Sequence, residues 1–208
     1  MKKNLRLGQL VPRYSVPWLL GALAWQLSLY FLAKVLTEGR YHYDLSIPLD
    51  DRLPFVPFFI LIYWGAYFSW GLNYILAARE SREHCKRCIT ADMIAKALSF
   101  LIFLVLPTTL ARPENAGTGI LAELTRFIYA ADTPVTLFPS IHCLDSWLCW
   151  RFLVKIEWIP KWYKWINFLF TLLVCASTVL VKQHLLVDIF AGIAVAEIGL
   201  LLSRFIYD

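Results

Sequence analysis

Apolar residues run along this chain in unbroken blocks. Phe58-Phe59-Ile60-Leu61-Ile62-Tyr63-Trp64 is one such run, whereas the strands of a membrane barrel alternate apolar with polar side chains. The pattern predicts helices. Six blocks come near the roughly 17 to 25 residues that carry a helix through a hydrocarbon core: Ser15 to Leu36, Pro54 to Ala77, Asp92 to Leu110, Ser140 to Val154, Lys164 to Val181 and Leu185 to Ile206. The fourth and fifth are the shortest. The first is about twice as long as a signal-peptide core and follows a basic start, so it is expected to be a retained span.

Two polar stretches separate these blocks at length. Glu38 to Leu53 carries Tyr41, His42, Tyr43, Asp44, Asp50 and Asp51. Within Pro113 to Phe138, the positions Ile120, Leu121, Leu124, Phe127 and Ile128 repeat as on one face of a short helix lying along the membrane surface.

Composition agrees with the blocks. The 208 residues are 59% hydrophobic and 16% aromatic, with mean hydropathy +0.58, against an apolar share of roughly 45 to 50% in soluble domains. The expected fold class is all-α, a polytopic membrane bundle of six helices. With no internal repeat, low-complexity tract or flexible linker, residues 1–208 read as a single integral-membrane domain.

Charge orients the bundle. Lys2, Lys3, Arg6, Arg13, Arg79, Arg82, Lys86, Arg87, Lys155, Lys161, Lys164 and Arg204 fall on one side, while Arg40, Arg52, Arg112, Arg126 and Lys182 fall on the other. The richer side is read as cytoplasmic, which puts both termini inside and the segments around Arg112, His142 and His184 at the outer face of the plasma membrane. The net charge of +5 follows from this asymmetry and requires no nucleic-acid partner.

The candidate chemistry lies at that outer face. Of four histidines, two stand in Pro139-Ser140-Ile141-His142 and in Lys182-Gln183-His184-Leu185-Leu186-Val187-Asp188. Polar groups at membrane depth are costly and usually functional, and Asp188, four residues after His184, shares its helix face and can hold its tautomer. Arg112-Pro113 closes the third block at the same depth. An arginine for phosphate oxygens, free N–H groups at a helix start after Ser140, and two imidazoles to attack and to protonate together indicate phosphoryl transfer.

These residues resemble the type 2 phosphatidic acid phosphatase (lipid phosphate phosphatase) superfamily, whose signatures are Lys-x6-Arg-Pro, Pro-Ser-Gly-His and Ser-Arg-x5-His-x3-Asp. Here they read Val105 to Pro113, Pro139 to His142 and Ser177 to Asp188. The resemblance implies His184 as the nucleophile forming a phosphohistidine, Asp188 as its partner, His142 as general acid, and Arg112 with Ser140 as phosphate ligands. Neither metal nor cofactor is implied.

Three positions depart from the signatures. Val105 stands for the Lys, Ile141 for the Gly and Thr178 for the Arg, so Lys182 and Gln183, beside Ser177 in the third signature, are candidates to complete phosphate binding. The pattern is similar to a divergent branch that includes bacterial phosphatases and the inositol phosphorylceramide and sphingomyelin synthases. The expected activity is hydrolysis of a lipid phosphate, phosphatidic acid-like or a polyprenyl phosphate or diphosphate. A headgroup phosphotransferase and an inactive lipid-phosphate-binding relative are the alternatives, and joint retention of His142, His184 and Asp188 argues against the latter.

Other polar residues draw simpler readings. Asp145 is held off the catalytic set as an indirect or pairing residue, and Arg151 and Glu197 are read as interface residues. His84-Cys85-Lys86-Arg87-Cys88, read as part of a basic loop, lacks the second ligand pair of a zinc site. Cys143, Cys149 and Cys175 read as small buried thiols.

Overall fold

The computed structural model describes residues 10–113 and 117–207; Lys2, Lys3 and Arg6 of the charge count lie outside them. The chain folds into α1 (Val16–Thr37), α2 (Pro48–Arg52), α3 (Ile60–Ala78), α4 (Arg82–Val105), α5 (Ile120–Ala131), α6 (Ile141–Leu153), α7 (Lys161–Leu180) and α8 (Leu186–Tyr207). The all-α expectation has one exception. Two-residue strands β1 (Tyr43–Asp44) and β2 (Thr108–Thr109) pair in parallel, Tyr43 opposite Thr108.

Helix boundaries have local causes. Ser81 caps α4 by accepting the His84 N–H at 3.0 Å, and α4 stops at Val105 because Leu106 precedes Pro107 and is biased away from helical geometry. Helix α4 therefore starts ten residues before the expected Asp92. The His84 to Cys88 run is helical, a correction to its reading as a loop: its polar side chains hide the helix from a search for apolar blocks.

Among the described residues, four helical stretches are long and apolar enough to cross a membrane: Arg13–Thr37, Arg82–Val105, Lys161–Leu180 and Leu186–Tyr207. In α3 a series of Tyr and Trp with Ser69 and Asn73 dilutes the apolar character. Helix α6 has only 13 residues, about 20 Å, against a hydrocarbon core of roughly 30 Å. The outward faces are those of a membrane protein: Leu20, Phe31 and Val35 on α1, Trp162 and Trp165 on α7, and Phe190 and Phe205 on α8 are exposed.

Helix α4 packs along α8, and α1 leans on α4, while the short α6 is surrounded by α3, α4, α7 and α8. The core between them includes Ala91, Ala95, Leu144, Leu148, Phe152, Val195 and Ala196. Gly199 permits the α4–α8 approach, because a Cβ there would stand 2.6 Å from the Ala91 carbonyl oxygen. Small residues are what allow such contacts where lipid removes the hydrophobic drive between helices.

One charged cluster is sealed into this bundle. The Lys96 ammonium lies 2.8 Å from Asp92 and 3.3 Å from Asp145 and donates to Gln26 at 2.7 Å, while the Tyr74 hydroxyl donates to Asp92 at 2.7 Å. Asp145 is thus the pairing residue that its position one turn after His142 allowed. Removing one member would leave an uncompensated buried charge, which is strongly destabilising. The cluster pins α1, α3, α4 and α6 together.

Candidate active site

The third signature is built on a chain reversal. Lys182 takes a positive φ of 53°, which returns the Gln183 and His184 N–H groups to the Thr178 carbonyl at 2.9 and 3.1 Å. Such a left-handed residue is uncommon outside glycine and asparagine. The next turn opens α8, where Asp188 accepts from His184 Nδ1 at 3.1 Å and from the Leu185 N–H at 2.9 Å through the same oxygen. The carboxylate is 1% exposed, so it fixes the ring while leaving Nε2 without a partner among the described residues.

The second signature is tied directly to the third. The Ser140 N–H donates to the Asp188 carbonyl at 3.1 Å, and Ser140 Oγ accepts from the Cys143 N–H at 3.4 Å as the cap of α6. Gly192 makes the approach possible, since a Cβ there would sit 2.5 Å from the Ser140 carbonyl oxygen. The His142 and His184 ring centroids are consequently 6.0 Å apart.

His142 is held from the other side by α3. Its ring stacks on Tyr63 at 4.2 Å, and its Nε2 is 3.1 Å from the Tyr67 hydroxyl. Motif reading missed both tyrosines. Their signal was the i, i+4 spacing on the second apolar block, which puts them on one face.

Arg112 enters through backbone and amide contacts. It donates to the carbonyls of Tyr129 and Asp132 at 3.1 and 2.7 Å and to Gln183 Oε1 at 2.5 Å, and it lies over the Tyr129 ring at 4.6 Å. Burial pushes the guanidinium pKa down and Asp132 opposes this; an arginine stays charged throughout. Burial raises the Tyr129 hydroxyl to about 12.

The remaining expected phosphate ligands have other partners. Ser177 Oγ donates to the Val174 carbonyl at 2.7 Å, and Gln183 is occupied with Arg112. The Lys182 ammonium donates to the carbonyls of Asp50 and Leu53 at 2.9 and 2.8 Å. Asp50, unassigned in the sequence, accepts the Leu186 N–H at 2.8 Å and so caps α8 from the first polar stretch. Val105, at the signature Lys position, is 80% exposed.

Two cavities meet at His184. A large one of about 360 Å³ is walled by aromatic and aliphatic groups including Tyr30, Trp64, Phe100, Phe103 and Phe127, and reaches both His142 and His184. A small polar one of about 80 Å³ is lined by Asp44, Ser46, Asp51, Lys182 and His184.

A family profile described as the PAP2 superfamily matches residues 53–202, a stretch that includes all three signature segments. The chain belongs to the PAP2 superfamily. Searches among curated proteins and solved structures find no match.

Proposed function

We infer that the protein is an integral-membrane phosphatase acting on a lipid phosphate at the extracytoplasmic face. Six spans with both termini cytoplasmic complete the reading, with α3 crossing at the periphery, where Phe68 and Leu72 are exposed, and the short α6 crossing between α3, α4, α7 and α8. The observation that carries it is the position of His184 between an apolar cavity, which suits a lipid chain, and a polar cavity open to water. Superfamily membership supplies the reaction class.

In this mechanism His184 Nε2 attacks phosphorus, oriented by Asp188 at Nδ1. The bond from phosphorus to the lipid oxygen breaks, and His142 gives that oxygen its proton. Neutral His142 then takes a proton from water as the water attacks the phosphohistidine, releasing phosphate and restoring both imidazoles. Arg112 meets the phosphate charge, and Gln183 positions Arg112. Lys182, Ser177 and Ser140 hold the backbone that presents the histidines. No metal is required.

Water is favoured as acceptor over a headgroup alcohol. The polar cavity, about 80 Å³, suits a few waters, each needing only ~10–15 Å³, and falls short of the ~300–1,000 Å³ typical of small-molecule sites. Purified protein incubated with phosphatidic acid, phosphatidylglycerol phosphate and a polyprenyl diphosphate, with chelator present, is expected to release inorganic phosphate from at least one. A new phospholipid species with no free phosphate would establish transfer instead.

A further inference from the structure

At the far end of the bundle from the histidines lies a third cavity with a different character. His142 and His184 stand at the starts of α6 and α8, whereas Arg204 is eighteen residues beyond Leu186, about 27 Å along the α8 axis. There, α4, α6 and α8 enclose about 300 Å³ lined by Arg87, Arg151, Lys155, Arg204, His84 and Ser203 together with Phe152, Val154 and Leu200. No acidic residue among the described ones lines it.

Part of this positive charge is held in place by neighbours. Arg151 binds Glu197 through Nε at 2.8 Å and through Nη2 at 3.1 Å, and Arg87 is restrained by Glu83 at 3.7 Å and by the Tyr207 carbonyl at 3.0 Å. Lys155 and Arg204 have no hydrogen-bond or ion-pair partner among the described residues. Among the described residues, Glu83 and Glu197 are the carboxylates that answer these four cations, and an anion entering the cavity would lower the mutual repulsion of the cations.

An adjoining groove identifies the kind of anion. It is lined by Ile198, Leu200, Leu201, Glu197 and Arg204, sharing Leu200 and Arg204 with the basic cavity and running on to the exposed apolar face of α8. A phosphate seated among the arginines would have its attached chain beside that face. Basic pockets between membrane helices bind anionic headgroups by this combination of charge and apolar contact.

We propose that the cavity between the cytoplasmic-side ends of α4, α6 and α8 binds the phosphate of an anionic phospholipid. The site is separate from the histidine pair, and its ligand is a bound lipid rather than a substrate. The two unpaired cations, Lys155 and Arg204, are exposed, so replacing them leaves the helix packing intact.

Native mass spectrometry of the full chain, exchanged into detergent with equal amounts of phosphatidylglycerol and phosphatidylcholine, tests this. The wild type should retain phosphatidylglycerol by about tenfold or more, and Lys155→Gln/Arg204→Gln should bring the two lipids close to parity while melting at the wild-type temperature. Should the double variant fold poorly, Arg204→Gln alone is expected to lose a measurable part of the preference. Undiminished preference in the folded variant would overturn the proposal, as would equal retention of both lipids by the wild type. Full displacement of phosphatidylglycerol by millimolar inorganic phosphate would overturn the lipid assignment.

Discussion

At the scale of single residues, His142, His184, Asp188 and Arg112 were legible because each belongs to a short motif with fixed spacing. The residues that support them were not. Tyr67 is 75 positions from His142 and Asp50 is 136 from Leu186, so only the folded chain relates them. Lys182 shows the difference: its place two residues before His184 invited a phosphate-binding role, but its ammonium ties the first polar stretch to the start of α8. Lys182→Met should therefore lower the melting temperature, with a cost of about 1–2 kcal/mol for the two part-buried hydrogen bonds lost, while phosphate release by folded protein stays within a few-fold of wild type. A hundredfold loss of turnover at unchanged stability would instead mark Lys182 as a phosphate ligand.

At the scale of elements, apolar blocks located α1, α6, α7 and α8 to within about three residues, whereas α3 starts six residues after the expected Pro54 and α4 ends five before the expected Leu110, both beside prolines, Pro57 and Pro107. The charged first turns of α4 hid its start, and strands of two residues carry no periodicity to read. The α6–α8 contact was also invisible, because it depends on what a glycine lacks. Gly192→Ala would place a Cβ 2.5 Å from the Ser140 carbonyl oxygen and 3.3 Å from Cys143 Cβ, forcing apart the two helices that carry the histidines. The expected outcome is a loss of about 1–3 kcal/mol in stability together with at least a tenfold fall in activity, while Gly21→Ala, with open space around it in the middle of α1, keeps activity and costs no stability. An active, fully stable Gly192→Ala protein would show that the approach is unimportant.

At the scale of the whole molecule, the proposed function puts the histidine pair at the outer face and the cation-rich helix ends at the cytoplasmic face. Its topology is open to direct labelling, since the native cysteines of the described residues are buried. In a cysteine-free background, Asp44→Cys should react with an impermeant maleimide added to intact cells, and Arg82→Cys should react only after permeabilisation; the reverse pattern would turn the active site inward. The central claim concerns the covalent step at His184. Brief incubation with a lipid carrying radioactive phosphate, quenched in alkali, should leave an acid-labile label mapped to His184 and absent from His184→Ala, which should also lose phosphate release. Unchanged phosphate release by His184→Ala, or a label on another residue, would contradict the mechanism.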